Sequence, residues 1–155
     1  MKIRCQVAIV RGSQVLLIQH REHAGGRSYW LLPGGGKEAG ESAEAGVVRE
    51  MREETGLEVK VERLLFDEPG VEGEVKVYDR YLTYLCRILS GEPKPGYEPE
   101  VEASGIYGII EVRWFELGDE ASWGESILSD RITYPMLKRL QQSLFTDQGK
   151  EEHDV

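Results

Sequence analysis

Trp30-Leu31-Leu32-Pro33-Gly34-Gly35-Gly36 is a short apolar stretch that ends in a proline–glycine bend, and a helical pattern follows within six residues. Ser42 is suited to be the N-cap of that helix, Glu44 suits the positive end of its dipole, and Gly56 stands where a glycine stop belongs. The spacing predicts a helix from Ser42 to Thr55. At about 100° per residue, Glu50, Glu53 and Glu54 fall within an arc of roughly 100°, with Gly46 one turn earlier on the same face. Val47, Val48 and Met51 occupy a neighbouring arc suited to a core, and Arg49 and Arg52 point elsewhere. Like charges three and four positions apart cost a helix a few tenths of a kcal/mol per pair, so the cluster needs a reason.

A glutamate-rich helix is ordinarily a solvated acidic face, and a glycine-rich turn is ordinarily just a tight turn. Their fixed separation is what carries information. Carboxylates are hard oxygen ligands, and three on one face could hold Mg²⁺ or Mn²⁺ while leaving room for water and a phosphate. Glycines at 34, 35 and 36 would let the backbone come close to a ligand or metal. Read from Gly35 to Leu57, GGKEAGESAEAGVVREMREETGL matches G-x5-E-x7-R-E-U-x-E-E-x-G-U, U being a bulky aliphatic residue, at every specified position: Gly35, Glu41, Arg49, Glu50, Met51, Glu53, Glu54, Gly56 and Leu57. Average residue usage makes the chance of such a match at one window on the order of 10⁻⁹. This segment resembles the Nudix box. The flanks are similar as well, with Trp30 to Gly35 like the W-x-L-P-G-G approach and Glu111 to Leu117 like the later W-F-x-L strand.

The resemblance implies an α/β fold, an α/β/α sandwich around a mixed β-sheet. It implies a hydrolase that cleaves a nucleoside diphosphate linked to another group, with Mg²⁺ or Mn²⁺ as cofactor. By box position the metal ligands are Glu50, Glu54, Glu53 (directly or through water) and the backbone carbonyl of Gly34. Glu53 and Glu54 then do catalytic work, Arg49 orients a box glutamate, namely Glu41, and Gly35 and Gly56 are structural. The general base is either Glu53 or a glutamate of a downstream loop, here Glu98, Glu100 or Glu102. A rival from another class is a Nudix-fold sensor that binds a nucleotide without cleaving it; the presence of all three box glutamates argues for the enzyme.

The remaining chain is consistent with one domain over residues 1–148 and a frayed tail over 149–155. Strands are expected over Ile3–Val10 and Val15–Gln19 around an Arg11–Gln14 turn, with a loop from His20 to Ser28. After the helix come a strand from Leu57 to Phe66, a loop over Asp67–Glu74, and a long, imperfectly alternating strand over Val75–Leu89 that invites a bulge. Ser90–Gly105 is polar and rich in Pro and Gly, Ile109–Leu117 reads as a strand, and Leu137, Leu140 and Leu144 mark a helix after Pro135. A net charge of −9 argues against general nucleic-acid binding and against an anionic membrane surface. No run of about 18 apolar residues exists to span a membrane. Cys5 and Cys86, among apolar neighbours, are expected to be reduced thiols of a cytoplasmic protein.

A small nucleotide is thus the expected partner. Tyr29 and Tyr81 are candidate walls of a base pocket; Arg27, with His20 and Arg21, is a candidate contact for a terminal phosphate. The box's relatives differ in a proline or tyrosine beyond it, where this chain has Glu72-Gly73-Glu74 and Val75, so no subfamily follows. Homodimers are frequent in the family, and no stretch of this chain marks an interface.

Overall fold

Strand β1 (Ile3–Arg11) organises the molecule because it uses both of its edges. In this computed structural model, which describes residues 1–70, 78–96 and 107–153 (the side chains of 107 and 146–153 excepted), Ile3 to Ile9 run parallel to β6 (Arg80–Ser90). The opposite edge pairs antiparallel with β4 (Gly34–Gly36) at Arg4–Gln6, and with β2 (Gln14–Glu22) at Val10 and Arg11. β2 in turn carries β3 (Ser28–Leu31) and β7 (Tyr107–Glu116), and β5 (Glu58–Pro69) closes the far edge on β6. The sheet is mixed, with the order β3-β2-β1-β6-β5 and β4 and β7 attached to β1 and β2.

Period-2 alternation along these strands loads both faces with apolar side chains. Cys5, Val7, Ile9, Leu16, Leu82, Tyr84 and Cys86 pack against Val47 and Met51 of helix α1 (Ala43–Thr55). Ala8, Val15, Leu17, Trp30, Phe115 and Leu117 pack on the other face. There they meet Ile127 of the short helix α2 (Glu125–Leu128) and Met136, Leu137, Leu140 and Leu144 of α3 (Thr133–His153). Two helical layers around a mixed sheet make the α/β/α sandwich that the resemblance implies.

Several boundaries differ from the sequence reading. β2 runs on to Glu22, into the segment read as loop, because His20, Arg21 and Glu22 are held between Tyr29, Ser28 and the start of β7. The Trp30–Gly36 stretch is two short strands, β3 and β4, separated by Leu32 and Pro33. Irregular register lies along β5, opposite β6, and at Gln19/His20 opposite β7. α3 begins at Thr133, before Pro135, where Asp130 Oδ1 accepts the N–H groups of Ile132 and Thr133 at 2.8 Å. Proline tolerates the first turn because its missing N–H has no partner there anyway. The same helix runs to His153, so its backbone includes Gly149–His153, which the sequence reading sets apart as a frayed tail. The Glu72–Val75 positions lie outside the described residues.

Candidate active site

α1 forms where the sequence places it, and both ends are closed by side chains or glycine. Ser42 Oγ accepts the Ala45 N–H at 3.1 Å, and Gly56, with φ of 74°, donates its N–H to the Arg52 carbonyl at 3.1 Å. A left-handed residue at this point is the usual glycine-terminated helix end. Val47 and Met51 turn into the core, and Glu50 and Glu54 face the Pro33–Gly36 bend, while Glu53 meets Arg49.

Burial differs sharply among the three carboxylates. Glu50 and Glu54 are 1% and 0% exposed, whereas the Glu53 side chain is 19% exposed. Glu54 Oε1 accepts the backbone N–H of Gly34 at 2.6 Å, which ties the helix to the bend. Gly35 lies so close to Glu50 that a Cβ there would stand 2.3 Å from its Oε1, so residue 35 has to be glycine for the carboxylate to sit where it does.

Arg49 does not point away from this group, contrary to the helical-wheel reading. Its Nη1 donates to Glu50 Oε1 at 3.1 Å and to Glu53 Oε2 at 3.0 Å. Its Nε and Nη2 donate to the two oxygens of Glu41 at 3.2 and 2.9 Å, and Glu38 Oε1 lies 3.5 Å away. A wheel places Cα positions, while a long guanidinium arm reaches sideways across the face. The Glu41 hydrogen bonds hold the Arg49 guanidinium more firmly protonated than an ordinary arginine. In return the Arg49 guanidinium holds the Glu41 carboxyl below its usual range.

His20 is the further polar residue brought to this cluster. It is 2% exposed, its Nε2 lies 3.9 Å from Glu54 Oε2, and its ring meets Tyr29 edge to face at 5.7 Å. Burial, and secondarily the charge of Arg4, push its pKa down to about 3 despite the nearby carboxylate, so the imidazole is neutral at neutral pH. Beside it the β2–β7 register shifts by one residue, Ile110 of β7 falling between the partners of Gln19 and His20. Arg4 is itself nearly buried and donates through Nη2 to the Leu32 carbonyl at 2.9 Å. A strand reading treats Arg4 as an ordinary charge; the available signal was its place on the face that alternates with Ile3 and Cys5.

The other sequence candidates are placed unevenly. Tyr29 stands beside His20, and Arg27 lies with its Cζ 5.7 Å from the Tyr29 ring centre. Tyr81 alternates with Leu82 and Tyr84 and so faces away from α1, in contact with Tyr78 at 5.8 Å. Glu98, Glu100 and Glu102 lie outside the described residues.

Hard oxygen donors at Glu50, Glu53 and Glu54, with the backbone of Gly35 packed against Glu50, fit a divalent cation in ligand type. Among the described residues no three His, Cys, Asp or Glu side chains converge on one point. Positive charge in the cluster comes instead from Arg49.

Comparison with known proteins accords with this architecture. The NUDIX domain model matches residues 1–135, and the chain belongs to that family. It is 34% identical over 88 residues to the ADP-ribose pyrophosphatase of Methanocaldococcus jannaschii, which covers 57% of this chain and 52% of that protein. It is 37% identical over 87 residues to the putative 8-oxo-dGTP diphosphatase 2 of Mycobacterium tuberculosis, covering 56% and 61%. The crystal structure of a UDP-X diphosphatase superposes with a TM-score of 0.67 at 26% identity, over 94% of this chain and 63% of that one. The chain therefore spans between half and two thirds of the length of each of these proteins.

Proposed function

We propose that this protein is a divalent-metal-dependent pyrophosphohydrolase. Its substrate class is a nucleoside diphosphate linked to another group, such as a nucleoside triphosphate, ADP-ribose or a nucleotide sugar. The observation that carries this reading is the grouping of Glu50, Glu53 and Glu54 on the last two turns of α1, with Glu50 and Glu54 against a glycine bend tied to the helix by the Gly34–Glu54 hydrogen bond. The names of the relatives, each a diphosphatase or pyrophosphatase, support the bond class and leave the leaving group open. The two buried thiols suit a cytoplasmic setting.

Glu50, Glu54, Glu53 and the Gly34 carbonyl would hold the cation, Mg²⁺ or Mn²⁺. When bound, such an ion neutralises phosphate charge and lowers the pKa of a coordinated water. Arg49 keeps Glu41 anchored through two hydrogen bonds while its Nη1 arm steadies Glu50 and Glu53. Glu53, the most exposed of the three, is the residue we assign as acceptor of the proton from an attacking water. Tyr29, half-buried and edge to face with the buried His20 ring, is the aromatic wall we assign to the base. The occupation of Glu50 and Glu53 by Arg49 is the observation that favours the second reading, a module that binds nucleotides without cleaving them.

A substrate panel separates the two. Nucleoside triphosphates, oxidised triphosphates, ADP-ribose, nucleotide sugars and dinucleoside polyphosphates are incubated with Mg²⁺ or Mn²⁺, and phosphate or nucleoside monophosphate release is measured. One class should be cleaved well above the rest, and Glu54→Gln should lower its kcat by about 10²-fold or more with an unchanged circular dichroism spectrum. Binding without turnover across the panel would overturn the enzyme reading and leave the sensor.

A further inference from the structure

Glu53 and Glu54 occupy an unfavourable place for the work assigned to them. They belong to the last turn of α1, where helices fray and the final four carbonyls have no partner within the helix. That end also carries the negative pole of the helix dipole, which opposes two adjacent carboxylates. Two carboxylates held to ligand geometry there need an outside restraint.

The restraint comes from the segment that follows β6. Lys94 donates its backbone N–H to the Thr55 carbonyl at 3.0 Å, and Gly96 donates its own to the Glu54 carbonyl at 2.8 Å. With the Gly56–Arg52 bond, the described residues supply donors to the carbonyls of Arg52, Glu54 and Thr55 in the last turn. Gly96 also packs on Glu53, since a Cβ at residue 96 would overlap the Glu53 carbonyl oxygen and lie 2.8 Å from the Glu54 carbonyl carbon. The sequence of the segment, Pro93-Lys94-Pro95-Gly96, is matched to this task. Its two prolines have no N–H, so the only backbone donors of the tetrapeptide are the two that α1 uses. Proline at alternate positions also restricts the segment before it docks, which lowers the entropy lost on docking.

We propose that Pro93–Gly96 is a proline-stiffened strap that clamps the carboxy-terminal turn of α1, and that Gly96 is a positioning residue for Glu53 and Glu54. The strap acts through the helix backbone. Its role in holding ligands rests on the function proposed above; its role in holding the helix turn does not.

The test compares Gly96→Ala and Pro95→Gly with the wild type, using Gly118→Ala as a matched glycine change with no atom within 4 Å of the added Cβ. Amide hydrogen exchange at Glu53–Gly56 and Mn²⁺ affinity by calorimetry are measured on the full chain. In Gly96→Ala, exchange at these four amides should quicken about tenfold or more while Val47 and Val48 keep wild-type rates. Mn²⁺ should bind roughly tenfold more weakly, and Gly118→Ala should match the wild type in both. A folded Gly96→Ala with wild-type exchange and wild-type Mn²⁺ affinity overturns the proposal. Should Gly96→Ala fail to fold, Pro95→Gly decides it, because that change adds no atom to the contact. Faster exchange confined to the last turn supports the strap, and wild-type exchange refutes it. A wild type that binds no Mn²⁺ would sink the metal reading of the site, while the exchange data would still decide the strap.

Discussion

Arg49 shows how one side chain makes a repulsive cluster tolerable. Four carboxylates lie within 3.5 Å of its guanidinium, two of them from residues that the helix itself brings together. The pair with Glu41 is bidentate, the arrangement in which arginine is strongest and most directional. Since Glu41 titrates below its ordinary value of 4.5, the unfolded chain binds more protons than the native one between the two values. Stability from this pair is therefore complete above about pH 4.5 and is lost as pH falls through the lower native value. Urea titrations should show Glu41→Gln less stable than wild type by about 1 kcal/mol at pH 7, with the gap closing below pH 4. A gap that stays constant down to the lowest pH would mean that the carboxylate charge is not what stabilises the pair.

Among the elements, α1 bears the most demands, because it must pack, cap and present charge at once. Its core face is met by Val47 and Met51, both fully buried, while its ends are met by Ser42, Gly56 and the strap from Lys94 to Gly96. The amino-terminal cap lies two turns from the nearest box carboxylate on the helix, so its loss should be a stability defect alone. Ser42→Ala is expected to cost about 1 kcal/mol in denaturant unfolding and to leave kcat within about twofold of wild type. A large fall in kcat with little change in stability would show that the start of the helix also sets the position of its end.

For the molecule as a whole, the two-sided core seals both thiols. Cys5 and Cys86 are each 1% exposed on the α1 face of the sheet. Burial raises the Cys5 thiol above its ordinary value and pushes Cys86 up to about 12. A thiol-reactive dye at pH 8 should therefore label neither residue in the native protein and both in denaturant, at the rate of global unfolding. Fast labelling of one thiol under native conditions would identify a strand that opens by itself. Among the described residues no helix is long and apolar enough to cross a membrane.

Some of this protein is legible in its residues alone. The helix from Ser42 to Gly56, the glutamates on one arc of it and the bend before it rest on local rules: capping, 3.6-residue periodicity and the backbone freedom of glycine. The strands near Ile3, Val15, Leu57 and Ile109 follow from short-range patterning in the same way. Other features depend on residues far apart in the chain, and no local rule reaches them. The parallel pairing of β1 with β6 joins segments nearly eighty positions apart. His20 becomes a neutral buried neighbour of Glu54 only through burial and the nearby Arg4. The Arg49 guanidinium turns toward Glu50 and Glu53 because a flexible arm follows the field of its surroundings, which helix position does not encode. The docking of Lys94 and Gly96 on the end of α1 is likewise a matter of where two distant backbones meet. Local chemistry thus determined which residues are candidates for the site, and long-range packing decided which of them lie together and in what state of charge, because desolvation and Coulomb energy depend on distance in space and not along the chain.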